Sequence, residues 1–294
     1  MHFYTNVQKY RDFILARGIK NGKRYIKRLQ YEPTLYIPTN KQSAFKSVKG
    51  EFLQAKKFGS INHARNWKKK FKGTNVDIHG LDSWEYTYIN ESFPSDINFD
   101  IKQLNILCID IECECENGFP EPIDAEEKVN AITMKLFGHD TIHVIGTDNF
   151  DFKTDNPNVQ YHKCQHEKQL LKTFMEVWDE LEPDIVTGWN VESFDMAYLI
   201  NRIWKLFNWD TATKLSPHNL LTSREWFYMG QKKQIAYNIS GVATLDYLQM
   251  YKKFTYITRE TYRLDHIAEV ELGKKKIDYS EFGAMHLFYR NDYQ

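Results

Sequence analysis

The chain has 294 residues, long enough for two domains of ordinary size, and an apolar content of 42% supports genuine cores. No run approaches the ~20 apolar residues of a membrane span, the N-terminus lacks the basic-then-apolar layout of a secretory signal, and four cysteines make no disulfide framework, so a cytoplasmic setting without membrane contact is expected. The formal net charge is zero, but residues 1–76 carry 18 Lys and Arg against 3 acids, a net of +15 that the remainder balances. Such asymmetry points the basic part toward a polyanion.

In chain order, Phe13–Gly18 and Tyr25–Tyr31 flank Asn21-Gly22, a strong hairpin signal. Leu35–Ile37, between Pro33 and Pro38, reads as a short strand, and Ser60–Lys68 as a helix with Ser60 at its N-cap. Basic residues interleave with aromatics in Lys20–Arg28 and Asn66–Lys72, a mixture suited to phosphate contact and base stacking, or else to a solvated face docking on the acidic part. Residues 1–100 are thus expected to form a basic, β-rich α+β domain that binds nucleic acid. Glu91–Asp96 is the expected linker, and residues 101–294 form the second domain.

The second domain opens with Ile106–Glu112, an apolar run that reads as a strand buried on both faces. Ala131–Phe137 and Thr141–Gly146 follow as strands. Glu167–Leu181 places Leu170, Leu171, Phe174, Val177, Trp178 and Leu181 at helical spacing, and Pro183-Asp184 stops it. Ile185–Asn190 returns as a strand, and a helix runs from about Ser193 through Phe207. Strands in series, then helix–strand–helix, predict a mixed α/β sheet with helices on its faces.

Two segments carry chemistry. Asp110 and Glu112 stand two apart in a strand and so share a face, and like charges this close are stabilised by a divalent cation. In Thr187–Asp195, Asp195 falls in the first turn of a helix just after a buried strand, from where it can face the Asp110 strand. Asn190 supplies an amide for backbone or substrate; capping by Ser193 with a solvated Asp195 is the alternative. His162–His166 with Cys164 has metal-like spacing, but no zinc pattern joins it and it reads as a loop before the helix. Asp246, near a strand end, is expected to make structural hydrogen bonds.

Asp-Ile-Glu followed about 80 residues later by Asn-x3-Phe-Asp resembles the first two exonuclease motifs of family B DNA polymerases, members of the DnaQ-like, ribonuclease H-like superfamily. Asn117–Pro122, Leu245-Asp246-Tyr247 and Tyr251–Phe254 extend the likeness to the polymerases of T-even-like phages over essentially the whole chain. The resemblance implies that Asp110, Glu112 and Asp195 hold two Mg2+ or Mn2+ ions in a 3′→5′ proofreading exonuclease acting on single-stranded DNA ends. It implies that Phe119 stacks on unpaired bases, and that Arg224–Tyr237, with Gly230–Lys233 at its tip, is a hairpin that parts primer from template. Asn190, Phe194, Arg224, Lys232 and Lys233 are the further DNA-contact candidates, and the N-terminal domain of the family cradles template and in some relatives contacts RNA.

The family's third motif, Tyr-x3-Asp, is not found. By likeness it falls about ten residues past Gln294, and Tyr289–Asp292 has the wrong spacing. The chain is therefore expected to be truncated before that motif and to lack the polymerase domain. It is either a fragment or one product of a split gene whose second polypeptide supplies the rest. The competing function is a catalytically silent DNA-binding and assembly half of such a polymerase.

Overall fold

The structure is a computed structural model that describes residues 2–116, 118–147, 154–228, 232–275 and 287. The chain divides into two compact units, Met1–Gln103 and Leu104–Gln294.

The first unit holds strands β1 (His2–Tyr10), β2 (Phe13–Lys20), β3 (Lys23–Gln30), β4 (Thr34–Pro38), β5 (Phe45–Lys46) and β6 (Phe52–Lys57), then helices α1 (Ile61–Lys69) and α2 (Trp84–Ser92). β1-β2-β3 and β4-β6-β5 form two antiparallel three-stranded sheets. Asn21 and Gly22 both take positive φ, 52° and 75°, the twist that a two-residue hairpin requires. Ser60 caps α1 by accepting the His63 N–H at 3.1 Å. The core gathers Ile14, Leu35, Phe58, Ile61, Ala64 and Trp84. α2 runs through Glu91 and Ser92, where a linker was expected.

The second unit contains β7 (Ile106–Cys113), β8 (Val129–Leu136), β9 (Ile142–Thr147), β10 (Val159–Cys164), α3 (Glu167–Leu181), β11 (Ile185–Gly188), α4 (Asp195–Leu206), α5 (Trp209–Thr213), β12 (Leu221–Tyr228), β13 (Lys232–Ile239), β14 (Ala243–Asp246), α6 (Tyr247–Phe254) and α7 (Leu264–Leu272). Its main sheet has the order β10-β9-β8-β7-β11-β14. β7 runs antiparallel to β8 but parallel to β11, which is parallel to β14. This is a mixed α/β, ribonuclease H-like sheet flanked by helices.

Two local readings change. β7 is not buried on both faces: Leu107, Ile109, Ile111 and Cys113 are buried while Cys108 and Asp110 are exposed. Period-2 alternation operates inside a run whose outward residue, Cys108, is itself apolar. Residues 162–164 belong to β10 rather than to a loop. His166 caps α3, its ring Nδ1 accepting the Gln169 N–H at 3.2 Å.

α4 is the central helix, buried from Asp195 through Ile203. Arg202 on α4 meets Glu167 on α3 through a paired contact, Nε to Oε1 and Nη2 to Oε2, both at 2.7 Å. Arg202 Nη1 also donates to the carbonyls of Ala125 (2.9 Å) and Glu126 (2.8 Å). These bonds tie the helix that carries Asp195 to α3 and to the loop before β8.

Candidate active site

Three elements converge at one end of the sheet. β7 delivers Asp110 and Glu112 on its outward face, next to a register shift between Glu112 and Cys113. Such a bulge re-aims side chains beside a site. β11, parallel to β7, ends at Gly188, and a Cβ there would stand 2.6 Å from the Ile109 carbonyl, so only glycine lets the two backbones approach this closely. The chain then reverses through Asn190, whose φ of 65° lies in the left-handed region that Asn tolerates. The Asn190 carbonyl accepts the N–H groups of Ser193 (3.2 Å) and Phe194 (3.0 Å), which starts α4.

Asp195 is thereby placed as the first residue of α4, 3% exposed. The helix cap is Phe194 and has no side-chain capping bond, so neither a Ser193 cap nor a solvated Asp195 describes the site. Asp195 Oδ1 accepts the Ile111 N–H at 3.1 Å, which ties α4 to the strand bearing Asp110 and Glu112. Burial, and then the nearby Asp110, push the Asp195 carboxyl up to about 8, a shift that its bonds to Ile111 and to its own backbone only partly offset.

Asp110, Glu112 and Asp195 line one cavity of about 890 Å³ together with Phe119, Asn190 and Phe194. Phe119 is 71% exposed at the mouth, its ring 5.5 Å from that of Phe194. Three carboxyl groups lining one cavity offer hard oxygen donors of the kind that suit divalent cations such as Mg2+. Among the described residues, however, no three His, Cys, Asp or Glu side chains stand close enough to form a ready metal group.

The hairpin candidates lie elsewhere. Arg224 pairs with Glu192 at 2.7 Å, its guanidinium 5.3 Å from the Trp226 ring, and Lys233 pairs with Glu225 at 2.8 Å. Lys232 opens β13; Gly230 and Gln231 lie outside the described residues, as do Asn117 and Tyr289–Asp292. Asp246 closes β14 and accepts four backbone N–H groups: Asn190 at 3.2 Å, Leu248 at 2.9 Å and Gln249 at 3.4 Å on Oδ1, and Glu192 at 3.2 Å on Oδ2. Sequence reasoning missed three contributors to the cavity wall, Lys252, Tyr262 and Arg263. Lys252 lies in the Tyr251–Phe254 stretch of the family likeness, but nothing local gives any of the three a site role; they reach the cavity through α6, which follows β14, and the segment after it.

In the first unit, Lys9, Arg65, Lys68, Lys69 and Lys72 surround a cavity of about 470 Å³ that also touches Trp84. Trp67 of the basic stretch is not free for bases: it packs on Phe58 and Phe71, centroids 5.2 and 4.6 Å away. Among the described residues no helix is long and apolar enough to cross a membrane.

The family profile of DNA polymerase family B, exonuclease domain, matches residues 62–267. The chain belongs to this family of exonuclease domains. It is similar to the DNA-directed DNA polymerases of Escherichia phage RB69 (29% identity, covering 94% of this chain and 33% of that protein) and Enterobacteria phage T4 (28% identity, 94% and 33%). It is also similar to the DNA polymerase catalytic subunit of Equine herpesvirus 2, at 26% identity over 63% of this chain. The chain thus spans about a third of the length of the phage relatives it matches.

Proposed function

We propose that this chain is the N-terminal and proofreading portion of a phage-type DNA-directed DNA polymerase, and that it hydrolyses single-stranded DNA from the 3′ end. The observation that carries the reading is the convergence of Asp110, Glu112 and Asp195 in one cavity that Phe119 and Phe194 also line. Asp110, Glu112 and Asp195 would hold two divalent ions. Bound there, such ions supply Lewis-acid stabilisation of the phosphate's charge and acidify water.

The chain's own residues do the rest. Phe119 and Phe194 present ring faces on which a frayed base stacks, at about 1–3 kcal/mol per base and without regard to sequence. Asp195, held by the Ile111 N–H, keeps α4 in register with β7 so that the carboxylates share one space. The basic first unit binds template DNA or RNA through its cation-rich face, and primer–template DNA is the natural partner of the whole.

A second reading, a DNA-binding and assembly half without activity of its own, is favoured by one observation: Lys9, Arg65, Lys68, Lys69 and Lys72 gather around one cavity of the first unit. The test is degradation of 3′-labelled single-stranded DNA with Mg2+ or Mn2+, comparing wild type with Asp110→Ala. Stepwise loss of 3′ nucleotides that disappears in the variant supports hydrolysis. Intact DNA binding with no cleavage by the wild type supports the second reading.

A further inference from the structure

We propose that Lys252 and Arg263 form a phosphate-binding wall of the carboxylate cavity and grip the backbone of the terminal nucleotides of single-stranded DNA. The proposal rests on the hydrolytic reading above and names the residues that hold its substrate.

A DNA 3′ end must bring its phosphates to a cavity lined by Asp110, Glu112, Glu121 and Asp195, and like charges repel. The hairpin cations do not offset this, because Arg224 and Lys233 are engaged with Glu192 and Glu225 and do not line the cavity. Among the described residues that do line it, the cations are Lys252 and Arg263. Among the described residues, neither forms an ion pair with an acid.

The wall is also built rather than incidental. Lys252 sits in the last turn of α6, its Nζ 5.1 Å from the centroid of the Tyr262 ring. Arg263 follows Tyr262, whose carbonyl accepts the Trp189 Nε1–H at 3.1 Å. That bond fixes the segment to the turn leading into Asp195. Further back, Arg259 donates from Nε to the Tyr251 hydroxyl at 3.1 Å and pairs with Glu271, clamping the loop between α6 and α7. A cationic segment held at both ends and facing the carboxylates is suited to orient an anionic strand by point charge from Lys and by forked donors from Arg.

The alternative role for the two cations is to soften repulsion among the acids without touching substrate. The test is binding of a short oligothymidylate, all-phosphate or with uncharged methylphosphonate linkages at its last two positions, measured by fluorescence anisotropy in EDTA so that ends stay intact. Lys252→Ala/Arg263→Ala should bind the all-phosphate probe about tenfold more weakly, and the slope of log affinity against log salt should fall by about 0.7 per cation removed. On the uncharged-end probe, wild type and variant should differ less than twofold. Lys252→Arg/Arg263→Lys should retain most of the affinity, which separates charge from folding.

Equal losses on both probes, or an unchanged salt slope, overturn the proposal. If the wild type nonetheless shortens 3′-labelled DNA with Mg2+, hydrolysis stands and the wall alone falls. If the coupling to the terminal phosphates appears without any cleavage, the wall stands and hydrolysis by this chain falls. A wild type that binds neither probe overturns the wall, and the Mg2+ assay then decides hydrolysis by itself.

Discussion

Replacing Asp246 tests how the site is held. Its carboxylate is 6% exposed and accepts four backbone N–H groups, two from the turn before α4 and two from the first turn of α6. Asp246→Ala removes the α6 cap, at about 1 kcal/mol. It also leaves the Asn190 and Glu192 N–H groups without their acceptor, at about 1 kcal/mol each where partly buried. The expected loss is about 3 kcal/mol. Asp246→Asn keeps one oxygen for the three Oδ1 bonds and turns an amide N–H2 toward the Glu192 N–H, so about 1–2 kcal/mol is expected. Equilibrium urea unfolding gives the totals from midpoint and slope. Amide hydrogen exchange at Asn190 and Glu192 should speed up locally in both variants. An Asp246→Ala variant within 0.5 kcal/mol of wild type, or an Asp246→Asn variant as damaged as the alanine, would refute the clamp.

Three further outcomes are expected. Arg202→Met should cost about 3–5 kcal/mol in chemical denaturation, because Glu167, 11% exposed at its side chain, would be left buried without a counter-charge; Glu167→Gln should cost less. Gly188→Ala should destabilise the second unit by at least about 2 kcal/mol and depress exonuclease activity, since the new methyl meets the Ile109 carbonyl and spreads β11 from β7; normal stability would contradict the close approach. The His162 imidazole is held below its ordinary 6.5 by burial and by His143, against an opposing Glu180. The unfolded chain binds the proton first, so this group's contribution is full above pH 6.5 and is lost as pH falls below it; His162→Gln should flatten that slope below pH 6.5.

Much of this architecture can be read from local pattern. Asn21-Gly22 forces its hairpin, the stripe from Leu170 to Trp178 forces α3, and two carboxylates at i and i+2 reach one face of β7 whatever surrounds them. Elements without a stripe are illegible. α2 spreads Trp84, Tyr86, Tyr88 and Ile89 around its circumference, with Trp84 alone buried. β10 is an edge strand of mixed polarity, Val159–Cys164, which reads as loop. The wall residues Lys252 and Arg263 are illegible for a different reason. They line the same cavity as Asp110 from 142 and 153 residues further along the chain, and Tyr-Lys-Lys-Phe on its own is only the end of an amphipathic helix.

Counting donors separates the two buried aspartates by role. Asp246 has its charge satisfied by four N–H groups of the protein, whereas Asp195 has the Ile111 N–H and its own backbone, faces Asp110, and sits in a cavity. The first is fixed as a structural acceptor; the second is a carboxyl whose ionised form burial and then Asp110 disfavour, and which a bound cation would favour. Mg2+ should therefore stabilise the wild type. For a site of millimolar affinity, a tenfold excess of free ion adds about 1.4 kcal/mol by mass action. Asp195→Asn keeps an oxygen for the Ile111 N–H and removes the cost of burying an ionisable carboxyl and, second, its repulsion with Asp110, so it should be more stable than wild type in EDTA and indifferent to Mg2+. Asp246→Asn should be less stable than wild type and keep the Mg2+ increment. Thermal unfolding of the three proteins with and without 10 mM Mg2+ decides the matter, and equal increments in wild type and Asp195→Asn would show that Asp195 is no metal ligand.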